Sequence, residues 1–439
     1  MLHPVFKPYI LSEEPRPVPV RPVKPYRFAV SQAEALEDLE TLSYLLDTAY
    51  SGREYWEKQG NSFSDSIQRI EAWIREAGEK ILIDGFLDAI AEAYSFIHDG
   101  HLALSAPQGR LCSFAKTWKA YFADLLLEQT VDGYRVLKSG CDALPCGRTI
   151  PQEAVDGHLF PTLSPTGKKH YLLGERLWRS DREGPGRPEL TFSVEGEDIR
   201  LPLHPCRASG ISGKNGVFTH SRRGDTEIVR SSRFWEGDDV LIDALEEKFW
   251  QLGQTLRTAP RVIWDLHDNH GGSSAYPSAF IDGLNGCADW PVDVADLSSP
   301  AILCARRKPA SDEPVRKWNF YPASPRRLEK AQFDGMLYLL TSEEVGSSGE
   351  AAVSMSMNVK NLVIIGESTG GRGVFGDTLN YVLPHTGIVV TLPHKLFLSG
   401  AEEGIGFAPD FWLDAPDLLE ETLRWLDAPE NYSAPVGKQ

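Results

Sequence analysis

The sequence predicts an α/β protein with a helical N-terminal part and a β-rich middle. Three observations carry this. Apolar residues recur at helical spacing between residues 30 and 105; short strand-like runs broken by glycine and proline fill 106–225; apolar strands alternate with amphipathic helices from 226 onward. The expected organisation is an arm over 1–29, a helical domain over 30–105, a β-rich domain over 106–225 and an α/β domain over 226–439.

In chain order, residues 11–26 hold five prolines and read as an extended arm. Ser31-Gln-Ala-Glu34 has the form of a capping box, and Leu36, Leu39, Leu42, Leu45 and Leu46 follow at helical spacing. Ile67, Ile70, Trp73 and Ile74 mark a second helix. Phe86, Leu87, Ile90, Tyr94 and Ile97 mark a third, for which Gly100 is the expected stop. Strand-like runs at 133–137, 189–194 and 199–203 follow, the last two flanking a hairpin turn at 195–198. An amphipathic helix is expected over 239–256, strands over 261–266, 336–341 and 362–365, and a helix over 349–358. No internal repeat at a solenoid period is present.

Composition excludes several functions. The chain of 439 residues carries 45 Lys plus Arg against 62 Asp plus Glu, a net charge of −17, which argues against a nucleic-acid backbone or an anionic membrane as the main partner. There is no run of about 18 apolar residues, so no membrane span is expected, and the first ten residues lack the apolar core of a signal peptide. Of the six cysteines only Cys141 and Cys146 lie close together. That spacing without a second Cys/His pair does not make a zinc site, and the compartment stays open.

Three apolar strands end in polar, glycine-rich turns: 265–272, 341–349 and 366–373. In an open α/β sheet, sites collect at the carboxyl ends of strands. Within Gly346-Ser-Ser-Gly349, a serine at a strand-to-helix turn stands beside unpaired helix amides that can bind an oxyanion, the setting of a nucleophile; either Ser347 or Ser348 could equally be a helix cap. Asn269-His-Gly-Gly272 offers a second set of backbone amides, or an ordinary turn. His98 and His101, beside Asp99 and Gly100, can reach into a cleft.

Taken in order, Asp99-Gly-His101, Val262 to Gly272, Gly346-Ser-Ser-Gly-Glu350, Val363 to Gly373, Leu383-Pro-His-Thr-Gly387 and Glu403 to Asp410 resemble the tail-specific and tricorn-core serine peptidase superfamily, which includes the modules of interphotoreceptor retinoid-binding protein. The resemblance spans the helical part and nearly all of 226–412. It implies a crotonase-like ββα-superhelix for the α/β domain and a degenerate PDZ-like module in the middle. The activity implied is hydrolysis of a peptide bond in a peptide or protein substrate, without metal or organic cofactor; a homo-oligomer stays open.

The resemblance also assigns residues. The family's nucleophile stands three before a helix glutamate, and 350 − 3 gives Ser347, leaving the backbone N–H of Ser348 to join Gly271 or Gly272 in the oxyanion hole. In the tail-specific branch a lysine follows the serine by 25 positions; here 347 + 25 falls on Arg372, which cannot act as a base and is instead expected to bind a backbone carbonyl or a substrate carboxylate. Lys395 is the remote substitute. The tricorn-like branch uses a histidine and an acid, matched by His101 as general base and Glu403 as its partner, with Glu402, His98 and His385 as competitors. Asp265, Asp268 and Asp410 are expected to hold loops. Tricorn-type enzymes carry a serine just before the histidine, and this chain has Gly100. The competing functions are a non-catalytic binding protein on the same fold, or an esterase or other acyl-transfer enzyme.

Overall fold

The computed structural model describes residues 27–163, 168–180, 188–209, 217–235, 242–308, 316–399 and 401–428. The proline-rich 11–26 segment and residues 239–241 of the expected helix lie outside them. The capping box forms as read: Ser31 Oγ accepts from the Glu34 amide while the Glu34 carboxylate accepts from the Ser31 amide at 2.8 Å, starting the helix Gln32–Thr48. Helices Phe63–Glu76 and Ile83–Ala93 follow, the first capped by Ser62.

The third helix ends earlier than the sequence suggested, and Gly100 does not stop it. Residues Asp99–Ser105 form a strand. Leu102 and Leu104 are buried on one side of it, a period of two that overrides the helical spacing read through Ile97. This strand pairs with Val389–Leu398 and with Leu111–Phe114, in an antiparallel sheet that also holds Asp293–Ser298, Lys317–Tyr321 and Phe375–Val382. One hydrophobic core joins the helices to this sheet, bringing Leu45, Phe86 and Ile90 against Leu104, Phe375, Val390 and Leu392.

A second sheet runs Thr219–Arg223, Thr226–Arg230, Arg261–Asp265, Met336–Thr341, Leu362–Gly366 and Phe411–Trp412, parallel after its first pair. Its central strands are apolar on both faces because both are covered. Val262, Trp264, Leu337 and Leu339 pack on one side with Phe249, Phe280 and Val353 of three helices; Ile263, Leu340, Val363 and Ile365 pack on the other with Leu423, Trp425 and Leu426. The register pairs Asp265 with Leu340 and Thr341 with Gly366, so the three glycine-rich turns leave the same edge of the sheet.

The middle region is a six-stranded antiparallel sheet built on Lys116–Thr130 and Lys169–Ser180. Beside it stands the hairpin Glu189–Val194 and Glu197–Pro202, whose two turn residues, Glu195 and Gly196, both have positive φ. Phe122 and Phe160 of this sheet pack on Trp412 at the end of the parallel sheet.

Candidate active site

Ser347 ends the turn after Met336–Thr341 and occupies the cap position of the helix Ser348–Ser356, with φ 55° and ψ −124°. A positive φ is costly for a residue with a Cβ, on the order of 1–3 kcal/mol, and persists only where the surroundings impose it. Here the Ser347 amide donates to the Arg372 carbonyl at 3.2 Å, the Gly346 amide to the Asn269 carbonyl at 3.2 Å, and the Glu350 amide to the Ser347 carbonyl at 2.9 Å. Despite its position the Ser347 hydroxyl makes no capping bond. Ser348 differs: its buried hydroxyl donates to the Gly272 carbonyl at 2.7 Å and lies 2.9 Å from Ser274 Oγ.

The second turn packs directly against this serine. A Cβ on Gly271 (φ 102°) would fall 2.7 Å from Ser347 Cβ and 3.0 Å from the Ser348 amide, so only glycine permits the approach. The Gly271 amide itself donates to Asn269 Oδ1 at 2.8 Å and is occupied within its own loop. The amides of Gly272 and Ser348 have no protein acceptor among the described residues. Phe234 bridges to Gly272 from the other side.

His101 lies on the antiparallel sheet, within an irregularity of register between Asp99 and Ala103. Such bulges turn a side chain out of its alternating position. Asp99 fixes the local backbone: its carboxylate accepts from the amides of His101 at 2.7 Å and Leu102 at 3.2 Å, and from the Tyr50 hydroxyl at 2.9 Å, which in turn accepts from Trp56 Nε1. Glu403 is buried and accepts from the Gly100 amide at 3.1 Å and the Val374 amide at 2.9 Å, whereas Glu402 is exposed. Ligand-type atoms of Asp99, His101 and Glu403 lie within 4.8 Å of one another. They are the one such trio among the described residues, and every carboxylate oxygen in it already accepts a hydrogen bond.

Electrostatics follow from that enclosure. Burial, then the Arg372 cation, lower the His101 pKa to about 4, so the imidazole is neutral at pH 7. Neither ring nitrogen has a hydrogen-bond partner among the described residues. Burial raises Asp99 to about 7, and burial with the neighbouring Asp99 carboxyl pushes Glu403 well above the usual range.

Arg372 links the two halves of the site. Its aliphatic stem fills the space over Gly100 and Gly346: a Cβ at residue 100 would meet Arg372 Cγ at 2.6 Å, and one at residue 346 would meet Cδ at 3.0 Å. That accounts for glycine before the histidine. Glu350, buried and raised to about 7 by that burial, accepts from Thr369 Oγ1 and from the Gly371 amide at 2.9 Å, and so anchors the loop that carries Arg372. The spacing that singled out Ser347 is therefore also a structural tie.

The other candidates lie elsewhere or are engaged. Lys395 pairs with Asp377 at 2.5 Å, and His385 contacts Glu37 at 2.8 Å. Asp265 meets His267 at 2.6 Å, and Arg230 lies 3.5 Å from both Asp265 and Asp268. Asp410 accepts from the Ile364 amide and holds its turn. Sequence reasoning missed Tyr50, Trp56 and Asp99 as supports of the histidine segment; Asp99 was signalled only as a neighbour of His101.

The model of peptidase family S41 matches residues 228–413, a stretch that contains the glycine loop, Ser347, Arg372 and Glu403. Residues 228–413 are a peptidase family S41 domain. The chain is accordingly a serine-type peptidase, a hydrolase. His101 lies outside the matched stretch, on the strand Asp99–Ser105. Solved structures similar in outline include mature CPAF (14% identity, TM-score 0.46, 91% of this chain and 95% of that one), the photosystem II D1 C-terminal processing protease (15%, 0.39, 91% and 99%) and the tricorn protease (14%, 0.40, 90% and 36%). No curated protein matches. No helix among the described residues is long and apolar enough to cross a membrane.

Proposed function

We propose that this S41 peptidase cleaves peptide bonds through an acyl-enzyme on Ser347, with His101 as general base and Glu403 as its acidic partner. The observation that carries the reading is the contrast between the two adjacent serines. Ser348 commits its hydroxyl to Gly272 and Ser274, while Ser347 is held at positive φ with its hydroxyl withheld from the helix it begins. A strained turn that presents an uncommitted hydroxyl above helix amides suits nucleophilic attack.

In this mechanism neutral His101 takes the Ser347 proton as the hydroxyl oxygen bonds to the substrate carbonyl carbon. The amides of Ser348 and Gly272 receive the developing oxyanion, and Gly271 contributes the close approach rather than its own N–H. The imidazolium then gives its proton to the leaving amine, and water repeats the sequence on the acyl-enzyme. A positive imidazolium favours ionisation of the Asp99 and Glu403 pair, which orients and stabilises it. Arg372 favours the neutral resting base, and its Nε, buried without a protein acceptor among the described residues, is a donor for a substrate carbonyl or carboxylate. The crotonase-like ββα-superhelix, the degenerate PDZ-like middle, the division at 30–105, 106–225 and 226–439, and a homo-oligomeric state belong to the same proposal.

The test is intact-mass analysis after exposure to a fluorophosphonate probe. Wild type and Ser348→Ala gain one adduct, and Ser347→Ala gains none. Labelling of Ser347→Ala would remove the nucleophile assignment. An unlabelled wild type would favour the non-catalytic binding function.

A further inference from the structure

The middle sheet brings an aromatic pair to the histidine side of the site. Trp118 and Trp178 face each other across paired strands with ring centroids 6.1 Å apart and planes 8° from parallel. Both are half-buried. Trp178 lies on Gly404, where a Cβ would be 2.5 Å from its ring, and the Trp118 amide donates to the Gly404 carbonyl at 2.9 Å. Gly404 follows Glu403, and its own amide donates to the Gly371 carbonyl at 2.7 Å, one residue before Arg372. Trp178 also lies 6.5 Å from the His98 ring, three residues before His101.

This placement has a direction. The oxyanion amides and the Phe234 bridge stand on the parallel-sheet side of Ser347, whereas the tryptophans lie on the backbone that carries the acid and leads to the base. A general base that later protonates the leaving amine must sit beside the leaving-group half of the substrate. We propose, on the basis of the Ser347 and His101 reading, that Trp118 and Trp178 form the subsite for the residue following the scissile bond and select a large apolar or aromatic side chain. Half-buried indoles offer an apolar contact at little conformational cost. Two cations already occupy their surroundings: the Arg176 guanidinium lies 4.3 Å from the Trp118 ring, and Lys116 Nζ lies 5.8 Å from the Trp178 ring. The same subsite therefore disfavours lysine and arginine.

The experiment is cleavage-site profiling of a proteome-derived peptide library by mass spectrometry, followed by kcat/KM for peptide pairs that differ only after the scissile bond, Phe or Leu against Gly or Lys. Wild type favours the large apolar member by roughly 10- to 100-fold, as expected for filling one apolar pocket. Trp118→Ala and Trp178→Ala bring that ratio below about threefold, and Trp178→Phe retains most of it. A ratio within one enzyme does not depend on how much of a variant is folded. Profiling that shows no such preference, or an unchanged ratio in the alanine variants, overturns the subsite and leaves the pair a clamp on the Gly404 loop. Fluorophosphonate labelling of wild-type Ser347, which needs no leaving-group residue, separates that failure from a failure of the catalytic reading.

Discussion

Adding one methyl group at residue 100 tests why the histidine is preceded by glycine. Gly100 does not have a positive φ, so alanine is tolerated by its backbone and by itself stabilises by about 0.4–1 kcal/mol through the unfolded chain. Its Cβ, however, would stand 2.6 Å from Cγ, 2.9 Å from Cδ and 3.3 Å from Cβ of Arg372, whose stem is also confined by Gly346. Overpacking of this kind costs about 1–3 kcal/mol. Gly100→Ala should therefore lose about 1–2 kcal/mol net, measured as a fall in urea midpoint at constant slope. In an Arg372→Ala background the same change should become neutral or mildly stabilising, a coupling of about 1–3 kcal/mol. If Gly100→Ala costs the same in both backgrounds to within about 0.5 kcal/mol, Arg372 is not what requires glycine here.

Four further outcomes follow from the site. His101 stays neutral until pH falls to about 4, so the acid limb of kcat/KM should lie near pH 4; Arg372→Met should move it upward, still below the ordinary histidine value because burial persists, and a limb that stays put or moves down would contradict the assigned electrostatics. The unfolded chain protonates this histidine near pH 6.5 while the folded one does not, so its contribution to stability is present above that pH and lost toward pH 4, readable by comparing pH-dependent urea midpoints of wild type and His101→Gln. Gly271→Ala, which places a Cβ at positive φ against Ser347 Cβ, should lower kcat/KM at least about 100-fold, and near-wild-type activity would show that the turn can yield. Tyr50→Phe leaves Asp99 and the Trp56 N–H each short of a partner and should cost about 1–3 kcal/mol by the same urea measurement.

The elements with local signatures were legible. Ser31 and Glu34 announce a capping box within four residues, and Arg261–Asp265, Met336–Thr341 and Leu362–Gly366 announce buried parallel strands by continuous apolar composition. The glycine-rich turns that follow them were legible at the strand ends for the same reason. The antiparallel sheet had no such signature, because Asp99–Ser105 pairs with Val389–Leu398 across about two thirds of the chain and its neighbours mix polar and apolar residues without clean alternation. Gly100 looked like a helix stop for the same reason: the residue that demands it, Arg372, is remote in sequence. Sequence adjacency could not separate Glu402 from Glu403, whereas burial does. The long strands Lys116–Thr130 and Lys169–Ser180 were obscured by a shift of register between Phe122 and Leu126, which breaks the alternation a reader depends on.

The serine and its amides hang from the parallel sheet, His101 lies on the antiparallel one with Glu403 accepting from the neighbouring Gly100 amide, and the Arg372 stem packs over Gly100 and Gly346. Each sheet has its own hydrophobic core. A sideways slip of about an ångström between these two bodies would leave both cores intact yet spoil proton transfer, a misalignment that can cost on the order of 100-fold in rate. Warming should accordingly silence the enzyme before it melts. Activity lost on warming while the urea midpoint holds would place the weak point at the seam between the two sheets rather than within either.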